Sequence, residues 1–168
     1  MRPEWRRQGA GPRKVAIDGA VIEFSQQYQL ALSAHGADVV ATDQDGLPVL
    51  TICKYGKGKV AFLSLGIEAE LAGRPDAFDV DSQPFWKFYR WFADAVGIRR
   101  IVRSNDPFVT CTEHFIDASH AIVIAVNNTP TERKCDFAIE NGWTISNTLF
   151  GTGGTIAPNS ATVLELEI

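Results

Sequence analysis

Short apolar runs, each ended by turn-forming residues, fill the chain from residue 14 to residue 65. They do not repeat at the 3.6-residue period of a helix, so the pattern predicts β-strands. The predicted strands cover residues 15–24, 29–34, 37–42, 47–55 and 59–65. Gly56 and Gly58 favour a tight turn between the last two strands, which we expect to form a hairpin. Pro48 lacks an amide hydrogen and is therefore expected at the start of its strand.

One amphipathic helix is predicted between Ser82 and Gly97. Ser82 or Asp81 can cap it, Pro84 fits the first turn, and Gly97 can end it in the left-handed conformation. On a helical projection the apolar side chains gather on one face. That face consists of Phe85, Phe88, Tyr89, Phe92 and Val96. We interpret this stripe as core packing.

Two tryptophans of the helix fall outside the stripe, Trp86 at about +100° and Trp91 at about −120° from Phe85. A helix packed on one sheet buries a stripe of about 100°, so at least one indole should meet a second surface. We expect Trp86 and Trp91 to anchor an association interface with the C-terminal half, a second subunit or the rest of a larger chain. The alternative is a helix fully enclosed within this chain.

From residue 101 onward the pattern is again that of strands, with an apolar run at residues 121–126 and alternation at residues 135–140. Asn141-Gly142 predicts a hairpin that joins the alternating strand to residues 143–150. Many short strands, none followed by a helix, predict an antiparallel β-sandwich. The predicted fold is therefore mainly β with one major α-helix. Its expected parts are a flexible basic tail over residues 1–13, a sheet plus helix over 14–103, and the sandwich over 104–168, with the boundary between residues 99 and 106.

With 45% hydrophobic and 21% charged residues, the 168-residue chain is not of the disordered or collagen-like class. The first 14 residues carry a formal charge of +4 and the remaining 154 carry −8. An acidic body repels nucleic-acid phosphates, so no nucleic-acid partner is expected; a nucleic-acid arm is the alternative use of the basic tail. No run approaches the roughly 18 apolar residues of a membrane helix, and the N-terminus lacks an apolar signal region. We therefore expect no membrane partner and a cytoplasmic location.

The three cysteines, Cys53, Cys111 and Cys135, lie in strand-like runs without the spacing of a metal site. Three thiols cannot all pair within one chain, so we interpret them as free buried thiols in a reducing compartment. The remaining candidate ligands form two groups, which are His114, Asp117 and His120, and Asp76, Asp79 and Asp81. The first group permits a metal site or a proton relay, but a solvated bend explains it more simply. The second fits solvated loop and helix-capping charges, so no catalytic residue, metal or cofactor is predicted.

Several runs resemble a known family. Residues 45–50 (DGLPVL), 55–63 (YGKGKVAFL) and 95–98 (AVGI) resemble the end of the amidotransferase-like trimerisation domain of glycoside hydrolase family 42 beta-galactosidases. Residues 122–129 (IVIAVNNT) and 156–164 (IAPNSATVL) are similar to the small C-terminal β-sandwich of such hydrolases. The resemblance implies that the N-terminal α/β half is a truncated amidotransferase-like, flavodoxin-like module.

The family's catalytic carboxylates belong to an upstream barrel, which this sequence does not contain. Cys53 lies within a predicted strand rather than at a strand-to-helix elbow, so glutaminase activity is not expected. The resemblance implies that the chain is a C-terminal portion of a larger hydrolase, or a stand-alone remnant of one.

Two functions follow from this interpretation. The first is a non-catalytic accessory or oligomerisation region, whose partners are further copies or other domains of a larger hydrolase. The second is a carbohydrate-binding β-sandwich, in which Trp143, Phe150 or Phe115 stacks on sugar rings. Trp143 starts a strand, and its alternative role is core packing. A free-standing enzyme is the third hypothesis.

Overall fold

The computed structural model describes residues 5–7, 12–25, 28–30 and 32–168. The chain divides into two compact units, the first ending at Ile98 and the second covering Arg99–Ile168. Within the described residues the chain is mainly β, with two helices and several antiparallel sheets. Neither of these helices is long and apolar enough to cross a membrane.

The described residues of the first unit form seven strands and two helices. The strands are β1 (Trp5–Arg7), β2 (Arg13–Ile17), β3 (Ala20–Phe24), β4 (Tyr28–Leu30), β5 (Asp38–Thr42), β6 (Pro48–Tyr55) and β7 (Gly58–Leu63). The helices are α1 (Ile67–Ala72) and α2 (Trp86–Ala95). The strands form two pairs, β1–β4 and β2–β3, and a three-stranded sheet ordered β5-β6-β7.

Every strand pairing in the described part of this unit is antiparallel. A flavodoxin-like module is built on a parallel sheet, so that part of the expectation is not confirmed. The predicted hairpin is confirmed: β6 pairs with β7, Tyr55 lies opposite Gly58, and Gly56 has a φ of 57°. Pro48 opens β6, as its missing amide hydrogen requires.

The region predicted as one extended run at residues 15–24 is a hairpin. Asp18 and Gly19 both have positive φ, and Ile17 pairs with Ala20 across this two-residue turn. An Asp-Gly dipeptide between apolar runs is the signal for such a turn, so the sequence did contain it. The predicted tail contains strand residues: β1 pairs with β4, and Arg13 opens β2. Residues 1–4 and 8–11 of that tail lie outside the described residues.

The core of the first unit lies between its strands and α2. Phe24 of β3 makes edge-to-face contacts with Phe85 and Phe88, at ring-centroid distances of 5.3 and 5.8 Å. Both contacts are of the favoured aromatic type. Other buried members of this core are Val15, Ile22, Val49, Leu50, Leu65 and Ile67.

Helix α2 begins later than expected, with Phe85 at the N-cap and no side-chain capping bond. The predicted caps, Ser82 or Asp81, are therefore both wrong, and the Ser82 hydroxyl donates to the Ala77 carbonyl instead. The predicted end is confirmed. Gly97 has a φ of 75° and donates to the Asp94 carbonyl, and the Ile98 amide donates to the Ala93 carbonyl. This is a Schellman motif, which needs a left-handed residue and therefore favours glycine.

The buried stripe of α2 is rotated from the predicted one. Tyr89 and Val96 are 44% and 55% exposed, whereas Trp91 and Phe92 pack against the core of the first unit. The prediction was wrong for Tyr89 and Val96, because a projection gives the width of an apolar stripe but not the part of it that meets the core. Helix α1 was not predicted, since six residues are too few to show a period.

The second unit contains eight strands. They are β8 (Val102–Ser104), β9 (Val109–Phe115), β10 (His120–Asn127), β11 (Arg133–Lys134), β12 (Phe137–Ile139), β13 (Thr144–Phe150), β14 (Thr155–Ile156) and β15 (Ala161–Glu167). A four-stranded antiparallel sheet has the order β13-β15-β10-β9, and β8–β12 and β11–β14 form antiparallel pairs. Strand β8 precedes residue 104 but belongs to this unit, so the division falls at Ile98 rather than at residue 103.

One face of the four-stranded sheet packs on the β8–β12 pair. Its core comprises Ile101, Val102, Ala121, Val123, Trp143, Leu164 and Leu166, with Phe137 and Ile139 at the margin. The turn at Asn141-Gly142 has two positive φ values, and the Trp143 amide donates to the Glu140 carbonyl. The predicted hairpin is nevertheless wrong, because β12 pairs with β8 and β13 pairs with β15. Here the turn links two sheets.

Candidate functional site

The three residues expected to stack on sugars lie in two different environments. Trp143 is 8% exposed and belongs to the core of the second unit. Phe115 and Phe150 are 58% and 59% exposed. The Phe115 ring packs against the Trp143 indole edge to face, with centroids 5.8 Å apart. Exposed ring surface for stacking is therefore provided by the phenylalanines, and Trp143 holds Phe115 in place.

Phe115 and Phe150 are not brought together. Phe115 lies opposite Ala121, whose side chain is buried on the core face of the sheet. Phe150 lies opposite Val163, which alternates with the buried Thr162 and Leu164 and so faces the other side. Side chains directly opposite in an antiparallel pair share a face. The two rings therefore belong to opposite faces of the four-stranded sheet.

The two tryptophans of α2 differ in their surroundings. Trp91 packs against the core and makes an edge-to-face contact with Phe92, with centroids 5.5 Å apart. Trp86 is half-buried, and the Arg90 guanidinium and the Lys87 ammonium lie 4.9 and 5.4 Å from its ring centroid. Two cationic groups of the first unit thus lie over the Trp86 ring as cation–π contacts.

The cysteines are free thiols. Burial, with a smaller effect of Cys135, raises the pKa of Cys111 to about 11. Burial also raises the pKa of Cys135, whose sulfur lies 2.9 Å from the Ser104 hydroxyl. A nucleophilic cysteine needs a lowered pKa, so both thiols are poorly suited to attack at neutral pH. Cys53 is half-buried within β6 rather than at an elbow.

The group around Asp117 is a tight turn. Asp117 Oδ1 accepts from the Ser119 and His120 amides at 2.7 and 2.9 Å, and it lies 3.0 Å from His120 Nδ1. These bonds lower the pKa of Asp117 to about 2, and the carboxylate raises the pKa of His120. The Ser119 hydroxyl contacts the same Nδ1 at 3.1 Å. A serine–histidine–acid relay uses opposite ring nitrogens, so this group is a turn and not a relay.

No cluster that could hold a metal occurs among the described residues. His114 lies on β9, where its Nε2 is 3.1 Å from the Thr112 hydroxyl. The acidic loop before α2 contains a backbone turn, in which the Asp79 amide donates to the Asp76 carbonyl. In the first unit the buried Asp43 pairs with Arg13 and accepts from the Leu47 amide at 3.0 Å. The Asp43 carboxylate therefore has structural partners.

Neither a family model nor a curated protein sequence matches this chain. Solved structures do match it. They include Gan42B, a GH42 beta-galactosidase from G. stearothermophilus, and a catalytic mutant of Gan42B. Each gives a TM-score of 0.55 at 16% sequence identity, over 98% of this chain. In fold, the chain resembles part of a GH42 beta-galactosidase.

The likeness extends through both units, but it covers only 23% of each Gan42B chain. This chain therefore corresponds to about a quarter of the solved enzyme. The structural likeness agrees with the family resemblance of the sequence runs only at the level of fold. At 16% identity, no residue roles are carried over from Gan42B.

Proposed function

We propose that this chain is a non-catalytic accessory and oligomerisation region of a glycoside hydrolase of the GH42 beta-galactosidase type. The observation that carries the proposal is the fold likeness, which includes 98% of this chain and 23% of a GH42 enzyme. In this proposal the first unit is the remnant of an amidotransferase-like trimerisation module, and the second is the C-terminal β-sandwich. The free cysteines fit a reducing cytoplasm.

The association surface of the proposal is the part of α2 directed away from the core of the first unit. Trp86 is half-buried there, and Tyr89 and Val96 are exposed, as is Ile98 after the helix. Aromatic residues are enriched at interface centres, and arginine is enriched beside them. The partner is a second copy or another domain of the larger hydrolase.

Sedimentation velocity on the full chain tests the association. We expect the wild type to form a concentration-dependent oligomer and Trp86→Ala to shift it towards the monomer. Phe115→Ala is the control, because it removes an exposed aromatic ring from the second unit and should leave the sedimentation unchanged. A wild type that remains monomeric up to about 100 μM would contradict self-association, because any dimer would then be weaker than a micromolar interface.

The non-catalytic part of the proposal is tested by turnover. We expect the purified chain to hydrolyse neither aryl-galactosides nor glutamine, since it contains no assembled nucleophile–base pair among the described residues. Reproducible turnover that disappears in Cys53→Ala or Asp117→Ala would show that the chain is an enzyme.

A carbohydrate-binding β-sandwich is the second candidate. It is favoured by the exposure of Phe115 and Phe150, because stacking on sugars needs an accessible ring face. The buried Trp143 enters this candidate only as the support of Phe115. Binding of an oligosaccharide by a monomeric chain would favour this candidate over the first.

A further inference from the structure

The outer face of the four-stranded sheet, opposite its packed core, is a regular surface. Strand pairing aligns two rows of outward residues across all four strands. One row is His114, Ile122, Glu165 and Asn147, and the next is Thr112, Ile124, Val163 and Phe150. Their inward neighbours Ala121, Val123, Leu164 and Leu166 are buried, which fixes the outward direction of both rows.

Two irregularities in edge strand β13 shape this face. Ile145 pairs with the buried Leu166, Asn147 with Glu165, and Phe150 with Val163, and the register shifts between Ile145 and Asn147 and again between Thr148 and Phe150. In a regular strand, residues three apart face opposite sides. The second shift places Phe150 on the same face as Asn147. Bulges of this kind re-aim side chains near functional sites.

We call Asn147, Phe150 and Glu165 the outer platform. Phe150 is more than half exposed, and Val163 lies opposite it. Asn147 is exposed and Glu165 is half-buried. Asn147 lies directly opposite Glu165, and Phe150 is a diagonal neighbour of Glu165 on the adjacent strand, at the roughly 7–8 Å that long side chains can bridge. An aromatic ring and two planar polar groups therefore share one face.

This combination matches the chemistry of a pyranose. The C–H face of a sugar ring is apolar and packs on an aromatic ring, while its hydroxyls need donors and acceptors at the sides. The amide of Asn147 supplies a donor and an acceptor, and the carboxylate of Glu165 supplies further acceptors. A protein partner would instead favour a core depleted of charged groups. Every residue of β13 is exposed, so a ligand can reach the platform from the sheet edge.

We propose that the outer platform binds a neutral galactose-containing oligosaccharide, with Phe150 as the stacking residue and Asn147 and Glu165 as the hydroxyl-binding residues. The inference rests on the carbohydrate-binding candidate above, and the choice of galactose rests on the fold likeness to a beta-galactosidase. It is independent of the association surface on α2, which belongs to the other unit.

Isothermal titration of the full chain with β-1,4-galactotriose tests the platform. We expect the wild type to bind, Phe150→Ala to weaken binding about tenfold, and Asn147→Ala to weaken it several-fold, as for central contact residues. Phe150→Tyr should retain binding, because the ring remains. Phe78→Ala is the control: it removes an exposed ring from the first unit and should leave the affinity unchanged.

The outcomes separate the inference from the proposals on which it rests. Loss of binding in Phe115→Ala but not in Phe150→Ala would overturn the platform and leave the carbohydrate-binding candidate standing. If about 10 mM trisaccharide gives no heat of binding with the wild type, the affinity is weaker than about 1 mM. That result would overturn both the outer platform and the carbohydrate-binding candidate. The oligomerisation proposal is judged separately by sedimentation. Equal binding of cellotriose would overturn the galactose assignment.

Discussion

Glu70 shows how much one residue contributes without any sequence signal. It is 3% exposed on α1, and its carboxylate accepts from the Ser25 amide and hydroxyl at 2.9 and 3.0 Å and from Arg74 Nε at 2.8 Å. Arg74 also donates to the Glu23 carbonyl at 3.1 Å. Glu70 thus joins α1 to the end of β3. A buried carboxylate must be paired and hydrogen-bonded, and these contacts meet that requirement.

Glu70→Ala should lower the free energy of unfolding by about 2–4 kcal/mol, since it leaves the Arg74 guanidinium and the Ser25 amide without their shared acceptor. Urea denaturation measures the loss. Glu68→Ala is the control on the same helix: Glu68 is exposed and accepts only from the Tyr89 hydroxyl among the bonds described. Its removal should cost less than about 1 kcal/mol, and equal effects of the two changes would refute the role of Glu70.

The turn at Asp117 gives a pH-dependent contact. Hydrogen bonds from the turn lower the pKa of Asp117 to about 2, and Asp117 raises the pKa of His120 above its ordinary 6.5. The stabilisation of the folded state by ionised Asp117 is present above the ordinary pKa of 3.8 and is lost as the pH falls towards 2. The stabilisation by protonated His120 is complete below pH 6.5 and is lost as the pH rises through the raised pKa of the folded state. The charged pair therefore stabilises the turn mainly between about pH 4 and 6.5.

Asp117→Asn should lower the pKa of His120, because the amide carries no charge to stabilise the imidazolium. NMR titration of the His120 ring protons measures it directly. Asp136→Asn is the control: it changes a carboxylate elsewhere in the second unit and should leave the pKa of His120 unchanged. An unchanged His120 pKa in Asp117→Asn would show that the contact does not form in solution.

At the scale of the element, turns decide which strands can pair. The turn between β13 and β14 contains Gly151 and Gly153, which share a φ of 80°. A side chain added at Gly151 would meet the Thr162 hydroxyl at 2.9 Å and the Ala161 carbonyl at 3.1 Å. At Gly153 the nearest atom would be the Thr148 hydroxyl at 3.4 Å. The glycines thus share a backbone conformation but differ in the space around them.

Gly153→Ala should cost about 1–2 kcal/mol, the penalty for an L-residue in the left-handed region. Gly151→Ala should cost about 1–3 kcal/mol more, because the methyl group also displaces β15. Urea denaturation of the two variants isolates the packing contribution, since the backbone penalty is common to both. Equal losses would mean that β15 moves aside without cost.

The position of the boundary between the two units determines which fragments of the chain can fold. Strand β8 pairs with β12, and Ile101 and Val102 contribute buried side chains to the core of the second unit. The Glu113 carboxylate accepts from both of their amides, at 2.9 and 3.2 Å. A cut at residue 103 would remove these contacts, and a cut after Ile98 retains them.

A fragment of residues 99–168 should unfold cooperatively in urea, because it retains its own core. A fragment of residues 104–168 should be less stable by several kcal/mol or fail to fold, since it loses two buried side chains and a strand pair, at about 1.5–3 kcal/mol for each buried side chain. Trp143 is the only tryptophan in either fragment, so its fluorescence follows both transitions. Equal stability would return the boundary to residue 103.

Features that depend only on neighbouring residues could be predicted from the sequence. The β6–β7 hairpin follows from its glycine turn, the start of β6 from Pro48, and the end of α2 from Gly97, because backbone conformation at these points is a local property. The family resemblance pointed to the fold likeness now found with a GH42 beta-galactosidase.

Strand pairing and the choice of buried face depend on contacts between distant segments, so they could not be predicted in this way. Asn141-Gly142 formed its turn, but the strands beside it found other partners, since pairing depends on packing between distant segments. The stripe of α2 was rotated, so Trp91 packs inward and Tyr89 lies exposed. The outer platform was also invisible, because the shifts of β13 exist only relative to β15. A register is a relation between two strands, and one strand's sequence does not contain it.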